Sequence, residues 1–370
     1  VVPRRELLKD VRRIVVKVGT SSLTEGEVLS PEKIARLAND IVGVVRRGYQ
    51  VVLVSSGAIS AGAGLMSRRR DFVTIPEKQA LAAVGQILLM DQYRACFNAA
   101  GLEIGQILLT EDDVKNRRRY LNARHTFNAL LEFGVVPIVN ENDSVVIKEI
   151  KIGENDTLSA YVANIIEAEL LVLLSDVDGF YRDLADPEPI EEVFDITDEI
   201  RDLAGGAGSA HGSGGMSTKI RAAEIVIGSG EMMIIANGAV EGVLGRIMNG
   251  EKIGTIFVGR DRALSSRKRW IAYSVKAAGT VIIDDGAVRA LRERKKSLLA
   301  RGITGVQGDF DLGDAVDIVD ARGERIGKGI VNYNAKELQL IKGKKTDEIR
   351  DMLESNYFDE VVNRDDLIIY

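Results

Sequence analysis

The chain has 370 residues, of which 45% are hydrophobic and 28% charged, and a formal net charge of −6. That length allows two domains, the balance is that of a globular protein, and the negative charge offers no bulk basic field for nucleic acid. One cysteine, Cys96, excludes an internal disulfide framework and a cysteine-rich zinc site, and no apolar run of about 18 residues suggests a membrane span.

The opening VVPRRELLKDVRR has no apolar run after its charges, so no signal peptide is expected and a cytoplasmic setting fits. Residues 13–18 (RIVVKV) read as a buried strand. A helix over 31–47 follows, with Ser30 as N-cap, Pro31 in the first helical position and Gly48 as its stop. Next come a strand at 50–54, a helix at 77–100 ended by Gly101, and a strand at 104–109. A helix at 122–133 closed by Gly134 leads to a strand at 135–139, and residues 145–152 alternate like an exposed hairpin. A helix at 157–168, an apolar strand at 170–174, a helix at 217–228 and a strand at 232–236 complete the series. Strands alternating with helices predict an α/β fold, an open and mostly parallel sheet sandwiched by helices. Two loops interrupt it, an acidic one at 183–196 and a glycine-rich one at 204–215.

The text then changes. Residues 262–275 read as a linker between a domain over 1–261 and a second one over 276–370. The second has short strands, Gly and Asp turns and a single helix-like run at 286–299, which predicts a small, mostly-β domain.

Open parallel sheets bind ligands beyond the carboxyl ends of their strands. Five strand ends here run into small or polar residues: Gly19-Thr20-Ser21, Ser55-Ser56-Gly57-Ala58, Asn140-Glu141-Asn142-Asp143, Ser175-Asp176 and Asn237-Gly238. Each alone reads equally well as a turn, but five on one predicted edge favour an anion site. Lys17 interrupts an apolar strand just before Gly19, either as a charge reaching out to solvent or as a phosphate contact. Gly214-Gly215-Met216-Ser217-Thr218-Lys219 sets glycines and hydroxyls before a helix, the makings of an anion cradle, or else a flexible loop with a solvent lysine. It is no Walker A loop, and no strand–GxGxxG–helix unit occurs. Asp156 is either a helix N-cap or an acid that orients two lysines or holds Mg²⁺ through water. With only two histidines, His125 and His211, a Ser/His/Asp mechanism or a zinc site is hard to build.

The segments VVKVGTSSLT, VSSGAISAG, KQALAAVGQ, GQILLT, RRYLNARHTFNALL, PIVNENDSV, IKIGENDTLSA and GGMSTK resemble the glutamate 5-kinases of the amino acid kinase family, over residues 12–260. Residues 278–358 resemble a PUA domain. The resemblance implies ATP with Mg²⁺ as cofactors and phosphorylation of the L-glutamate side chain, the first step of proline biosynthesis. It implies that Lys17 and Lys219 contact the ATP phosphates and the migrating phosphoryl group, with Asp156 organising the two lysines. Ser56, Gly57, Asn140, Asp143 and Asn155 would bind glutamate. Gly19, Ser175, Asp176, Ser213, Gly214, Gly215, Met216, Ser217 and Thr218 would bind ATP. Ser175 departs from the threonine expected there and keeps the hydroxyl. The resemblance also implies feedback inhibition by proline, a homo-oligomer (dimer or tetramer) and hand-off of the product to glutamyl phosphate reductase. RNA binding through the second domain is the lesser reading, because Arg292, Arg294, Lys295, Lys296, Lys342, Lys344 and Lys345 cluster as solvated faces do.

Overall fold

The computed structural model describes residues 2–370 except 27, 67–73, 146–153, 184–185, 187, 206–212, 260–270, 272–274, 295 and 353–357. The chain divides into two compact units, Val1–Ala263 and Leu264–Tyr370. Of the expected linker at 262–275, only residues 271 and 275 are among those described, and 146–152 of the expected hairpin lie outside them.

In the first unit, α1 (Arg4–Leu8) leads into β1 (Arg13–Val18). A short hairpin of β2 (Thr24–Glu25) and β3 (Val28–Leu29) precedes α2 (Pro31–Val45). Then come β4 (Gln50–Ser55), α3 (Ala58–Leu65), α4 (Ile75–Ala99) and β5 (Ile104–Leu109). They are followed by α5 (Glu111–Lys115), α6 (Arg117–Glu132), β6 (Val136–Glu141), α7 (Glu154–Ile166) and β7 (Leu170–Ser175). The unit ends with β8 (Glu192–Val193), α8 (Asp198–Gly205), α9 (Ser213–Gly228), β9 (Met232–Asn237), α10 (Val243–Met248) and β10 (Thr255–Val258).

The sheet runs β5-β6-β4-β1-β7-β9-β10-β8. Its first six strands are parallel, and β10 is antiparallel to β9. The chain therefore begins at the middle, winds to one edge, and returns to build the other. That reversal leaves a crevice beside β1 at the carboxyl ends of the strands. The expected architecture holds, and β1 shows why it forms. Ile14, Val16 and Val18 alternate into a core shared with α2, α4 and α10. Val15 and Lys17 therefore face the opposite layer, where α6, α7 and α9 lie.

Four helix starts differ from the sequence reading; α4 and α6 begin early, at Ile75 and Arg117 rather than 77 and 122, and the other two bear on the site. α7 begins at Glu154, which puts Asp156 inside its first turn and rules out the N-cap reading. α9 begins at Ser213, so Gly214 to Thr218 form its opening turns rather than a loop ahead of it. The sequence reading also passed over α3, whose AISAGAGL stretch has poor helix propensity. Packing supplies what propensity lacks, because α3 and α4 touch backbone to backbone. A Cβ on Gly85 would lie 1.8 Å from the Ala58 carbonyl oxygen, and one on Gly62 would lie 2.0 Å from that of Leu81.

The second unit is a five-stranded sheet of β11 (Gly279–Ile283), β12 (Ile303–Gly308), β13 (Ala315–Asp320), β14 (Arg325–Ile330) and β15 (Leu367–Ile369), in the order β12-β11-β13-β14-β15. Val281, Ile283, Val316, Ile318 and Ile326 bury one core with Leu338 and Ile341. It is mostly β, as expected, but three helices (Asp285–Arg292, Ala335–Ile341 and Thr346–Met352) stand where one was read.

Gly85→Ala should cost about 1–3 kcal/mol, the usual range for overpacking, measured by urea unfolding. A wild-type midpoint would show that α3 is free to move off α4.

Candidate functional site

A cavity of about 320 Å³ opens at the carboxyl ends of β1, β4, β6 and β7. Each strand delivers residues as it ends: Lys17 and Gly19 from β1, Ser56 and Gly57 after β4, Asn140 and Asp143 from β6 and beyond, Ser175 and Asp176 from β7. The first turns of α3, α7 and α9 add Ala58, Asn155, Asp156, Gly215 and Lys219. Three helix N-termini thus meet four strand ends, an arrangement that favours anions. Gly57 makes the turn into α3 with φ of 106°, a conformation a side chain would strain.

Charge is concentrated on one carboxylate. Asp156, 1% exposed, has Lys17 Nζ 2.5 Å from Oδ1 and Lys219 Nζ 3.1 Å from Oδ2. Thr218 Oγ1 donates to Oδ2 at 2.8 Å. Lys17 is itself only 6% exposed. Burial pulls its ammonium below the ordinary lysine range, Asp156 resists that, and Lys219 adds to it. For Asp156, burial pushes upward, but Lys17, Lys219 and the hydrogen bonds from Lys17 and Thr218 outweigh it. The carboxyl lies below its usual range and stays ionised. With its oxygens taken by two lysines and a hydroxyl, Asp156 is poorly placed to ligate a metal. Among the described residues, no group of three or more His, Cys, Asp or Glu is arranged to hold one.

The opposite wall is built of hydrogen-bonded amides and hydroxyls, with the carboxylates of Glu141 and Asp143 beside them. Asn155 Nδ2 donates to Ser56 Oγ at 2.8 Å and to Asn140 Oδ1 at 3.1 Å. Asn140 Oδ1 also accepts from the Glu141 backbone N–H at 2.9 Å. Behind β4, Ser55 Oγ and the buried Tyr93 hydroxyl lie 2.8 Å apart.

The structure gathers Lys17, Gly19, Ser56, Gly57, Asn140, Asp143, Asn155, Asp156, Ser175, Asp176, Gly215 and Lys219 around one space. Thr218 reaches Asp156 from just outside the wall. Ser213, Gly214, Met216 and Ser217 lie in α9, and of these Met216 and Ser217 do not line the wall. Of the five strand ends, Asn237-Gly238 contributes nothing to the wall, and Asn237 Nδ2 donates instead to Asp178 Oδ1 at 2.8 Å. Ile59 and Ser60 line the cavity and went unread because α3 was missed. Thr20, Ser21 and Glu141 stood in the strand-end segments without being singled out. The only earlier signal was their place next to Gly19 and Asn140.

Residues 12–237 match the model of the amino acid kinase family, and residues 279–353 match that of the PUA domain. The chain is 49% identical over 362 residues to a glutamate 5-kinase of Thermoanaerobacter sp. (strain X514), covering 96% of this chain and 97% of that one. It is 46% identical over 370 residues to the glutamate 5-kinase of Syntrophotalea carbinolica, covering 99% of each. To that of Dictyoglomus thermophilum it is 47% identical over 368 residues, covering 98% of each. A family model that spans more than half of the sequence, and relatives that span nearly all of it, place the chain in the amino acid kinase family and, within it, among the glutamate 5-kinases.

Proposed function

We propose that the chain transfers the γ-phosphoryl group of ATP to the side-chain carboxylate of free L-glutamate, giving glutamyl 5-phosphate, the first step of proline biosynthesis. The observation that carries this reading is the pair of lysines, one from β1 and one from α9, drawn to a single buried carboxylate on a cavity whose other wall carries amides, hydroxyls and the carboxylates of Glu141 and Asp143. The first set suits a polyphosphate, the second an amino acid.

The chemistry needs little else. A glutamate side chain, with an unperturbed pKa of about 4.3, is ionised at neutral pH, so attack requires no general base. An Oε–P bond forms as the bond from Pγ to the bridging oxygen of ADP breaks, and no proton moves. The barrier is electrostatic, because an anion approaches a polyanion. Lys17 and Lys219 hold the phosphates in line and offset the charge on the equatorial oxygens. Asp156 keeps the two ammonium groups side by side before ATP arrives. Ser175, Asp176 and the opening turns of α9 take the nucleotide; Ser56, Asn140, Asp143 and Asn155 take glutamate. Mg²⁺, when bound, supplies further charge neutralisation between phosphates. With Asp156 committed to its lysines, the metal would be held mainly by the nucleotide.

The family relationship supports three further expectations: inhibition by proline, a homo-oligomer, and delivery of the labile acyl phosphate to a reductase in the cytoplasm. RNA binding by the second unit is the lesser reading, since Arg292 and Arg325 there are ion-paired with Glu324 and Asp317. The direct test is ATP turnover with glutamate, N-acetylglutamate, aspartate or carbamate, with hydroxylamine trapping of the acyl phosphate and with or without proline. Turnover with another acceptor and none with glutamate would retire the reading.

Lys219→Ala should lower kcat by about 10²–10³, or ~2.7–4 kcal/mol, with little change in the glutamate KM. Asp143→Ala should raise the glutamate KM and spare that of ATP; steady-state kinetics showing the reverse would mean that the two subsites are exchanged. Asp156→Asn takes away the carboxylate paired with both the buried Lys17 and the partly buried Lys219 and should cost roughly 3–5 kcal/mol in urea unfolding near neutral pH. The lysine shift sets the sign of its pH dependence. A lysine whose folded pKa is depressed binds fewer protons folded than unfolded, so stability rises with pH through that folded pKa. The gap between Asp156→Asn and wild type should narrow as pH rises from neutral toward the ordinary lysine range, and a gap that widens would contradict the charge assignment.

A further inference from the structure

Helix α4 carries two polar side chains into the core, Gln86 and Tyr93, two turns apart on one face. Tyr93 meets the end of β4 through Ser55. Gln86 meets the end of β6, where its Oε1 accepts from Asn140 Nδ2 at 2.9 Å. Gln86 does not line the cavity, and the proposed mechanism does not use it.

The backbone fixes the direction of this relay at one point. The Glu141 N–H can only donate, and it donates to Asn140 Oδ1. Asn140 Oδ1 is therefore the acceptor end of its amide, and Nδ2 must turn to Gln86. Asn155 Nδ2 donates to that same Oδ1 and to Ser56. Among the described residues, two enclosed atoms of the relay then lack a partner: Gln86 Nε2, within the core, and Asn155 Oδ1, an acceptor on a residue of the cavity wall. Enclosed polar atoms in folded proteins are normally paired, so the acceptor on the wall suits a donor brought by a ligand.

Building on the glutamate reading above, we infer that Gln86 is a positioning residue for the acceptor substrate: by holding Asn140 in one amide orientation, it keeps Asn155 with its carbonyl oxygen available to the α-ammonium of a free amino acid. Glutamate and glutarate share both carboxylates and differ in that ammonium. The relay thus contributes the preference for an amino acid over a plain dicarboxylic acid. Without the Gln86 oxygen, Asn140 Nδ2 loses its acceptor, the amide is free to turn, and Asn155 loses its fixed partner.

The test is steady-state ATP turnover with glutamate and with glutarate, on wild type, Gln86→Leu and Gln86→Glu. Gln86→Leu should raise the glutamate KM about tenfold, as loss of one well-placed hydrogen bond does, with the ATP KM near wild type. It should also narrow the preference for glutamate over glutarate. Gln86→Glu keeps an acceptor oxygen and should recover most of both effects. Gln86→Met, of similar length and without that oxygen, replaces the leucine variant if the latter does not fold. A wild-type glutamate KM and an unchanged preference in the oxygen-free variant would overturn the inference. So would equal losses toward glutamate, glutarate and ATP, the mark of loosened packing. A wild-type protein that does not turn over glutamate at all would count against the proposed function instead.

Discussion

A carboxylate held between two ammonium groups is the constraint around which the first unit is arranged. Taking one ion out of water costs several kcal/mol, so Lys17 on a central strand is tolerable only with a counter-charge. Asp156 supplies it from α7, and the same side chain must also serve Lys219 from α9. Strand β1 and both helices have to be docked in register before the charges balance. Two ammonium groups share this one carboxylate, and the strand-end glycines and helix N-termini beside them favour an anion.

The two walls of the cavity are built with different stiffness. On the acceptor side, α3 rests on α4 with no side chain between Gly85 and the Ala58 carbonyl. The same helix α4 reaches through Tyr93 to β4 and through Gln86 to β6. Buried hydrogen bonds between rigid elements set amide positions tightly, which is what discrimination among small acceptors requires. On the side of Ser175 and Asp176 the contacts come from turn residues. Ser175 donates to Asp176 at 3.1 Å, and Asp176 is exposed. Polyphosphate binding leans on charge, which falls off slowly with distance and tolerates a looser frame.

Much of this was legible in the sequence, and each gap has a physical cause. Lys17 stood out because a charge inside an apolar strand needs an explanation. The parallel sheet followed from its strand–helix alternation. Asp156 stayed ambiguous because an acid near a helix start serves equally well as a cap, and boundary positions carry little periodic signal. Helix α3 was hidden because its stability is tertiary: glycines that lower its propensity are the ones that let it reach α4. Gln86 was hidden for a related reason. In α4, apolar residues occur nearly all round, so no polar face existed against which an inward-facing amide would look out of place. The extra helices of the second unit lie among short strands, where about two turns of helix have no distinctive period.

The division of labour between elements explains how one sheet can keep its phosphoryl chemistry while its acceptor changes. The lysines and their carboxylate come from β1, α7 and α9. The amides and hydroxyls come mainly from the ends of β4 and β6, backed by α3 and α4. Asn155 and Asp156 are the exception, adjacent residues on α7 that face one neighbour set each. One helical turn therefore couples the two halves. A shift of α7 that loosened the acceptor wall would also pull Asp156 away from its lysines and leave charges unpaired. Under the proposed function, glutamate placement and charge placement are thus set by the same turn of backbone. Substitutions on α3 and α4 reach that turn only through side chains such as Asn140, and under the proposed function it is there that the fold could alter what it accepts without dismantling how it transfers.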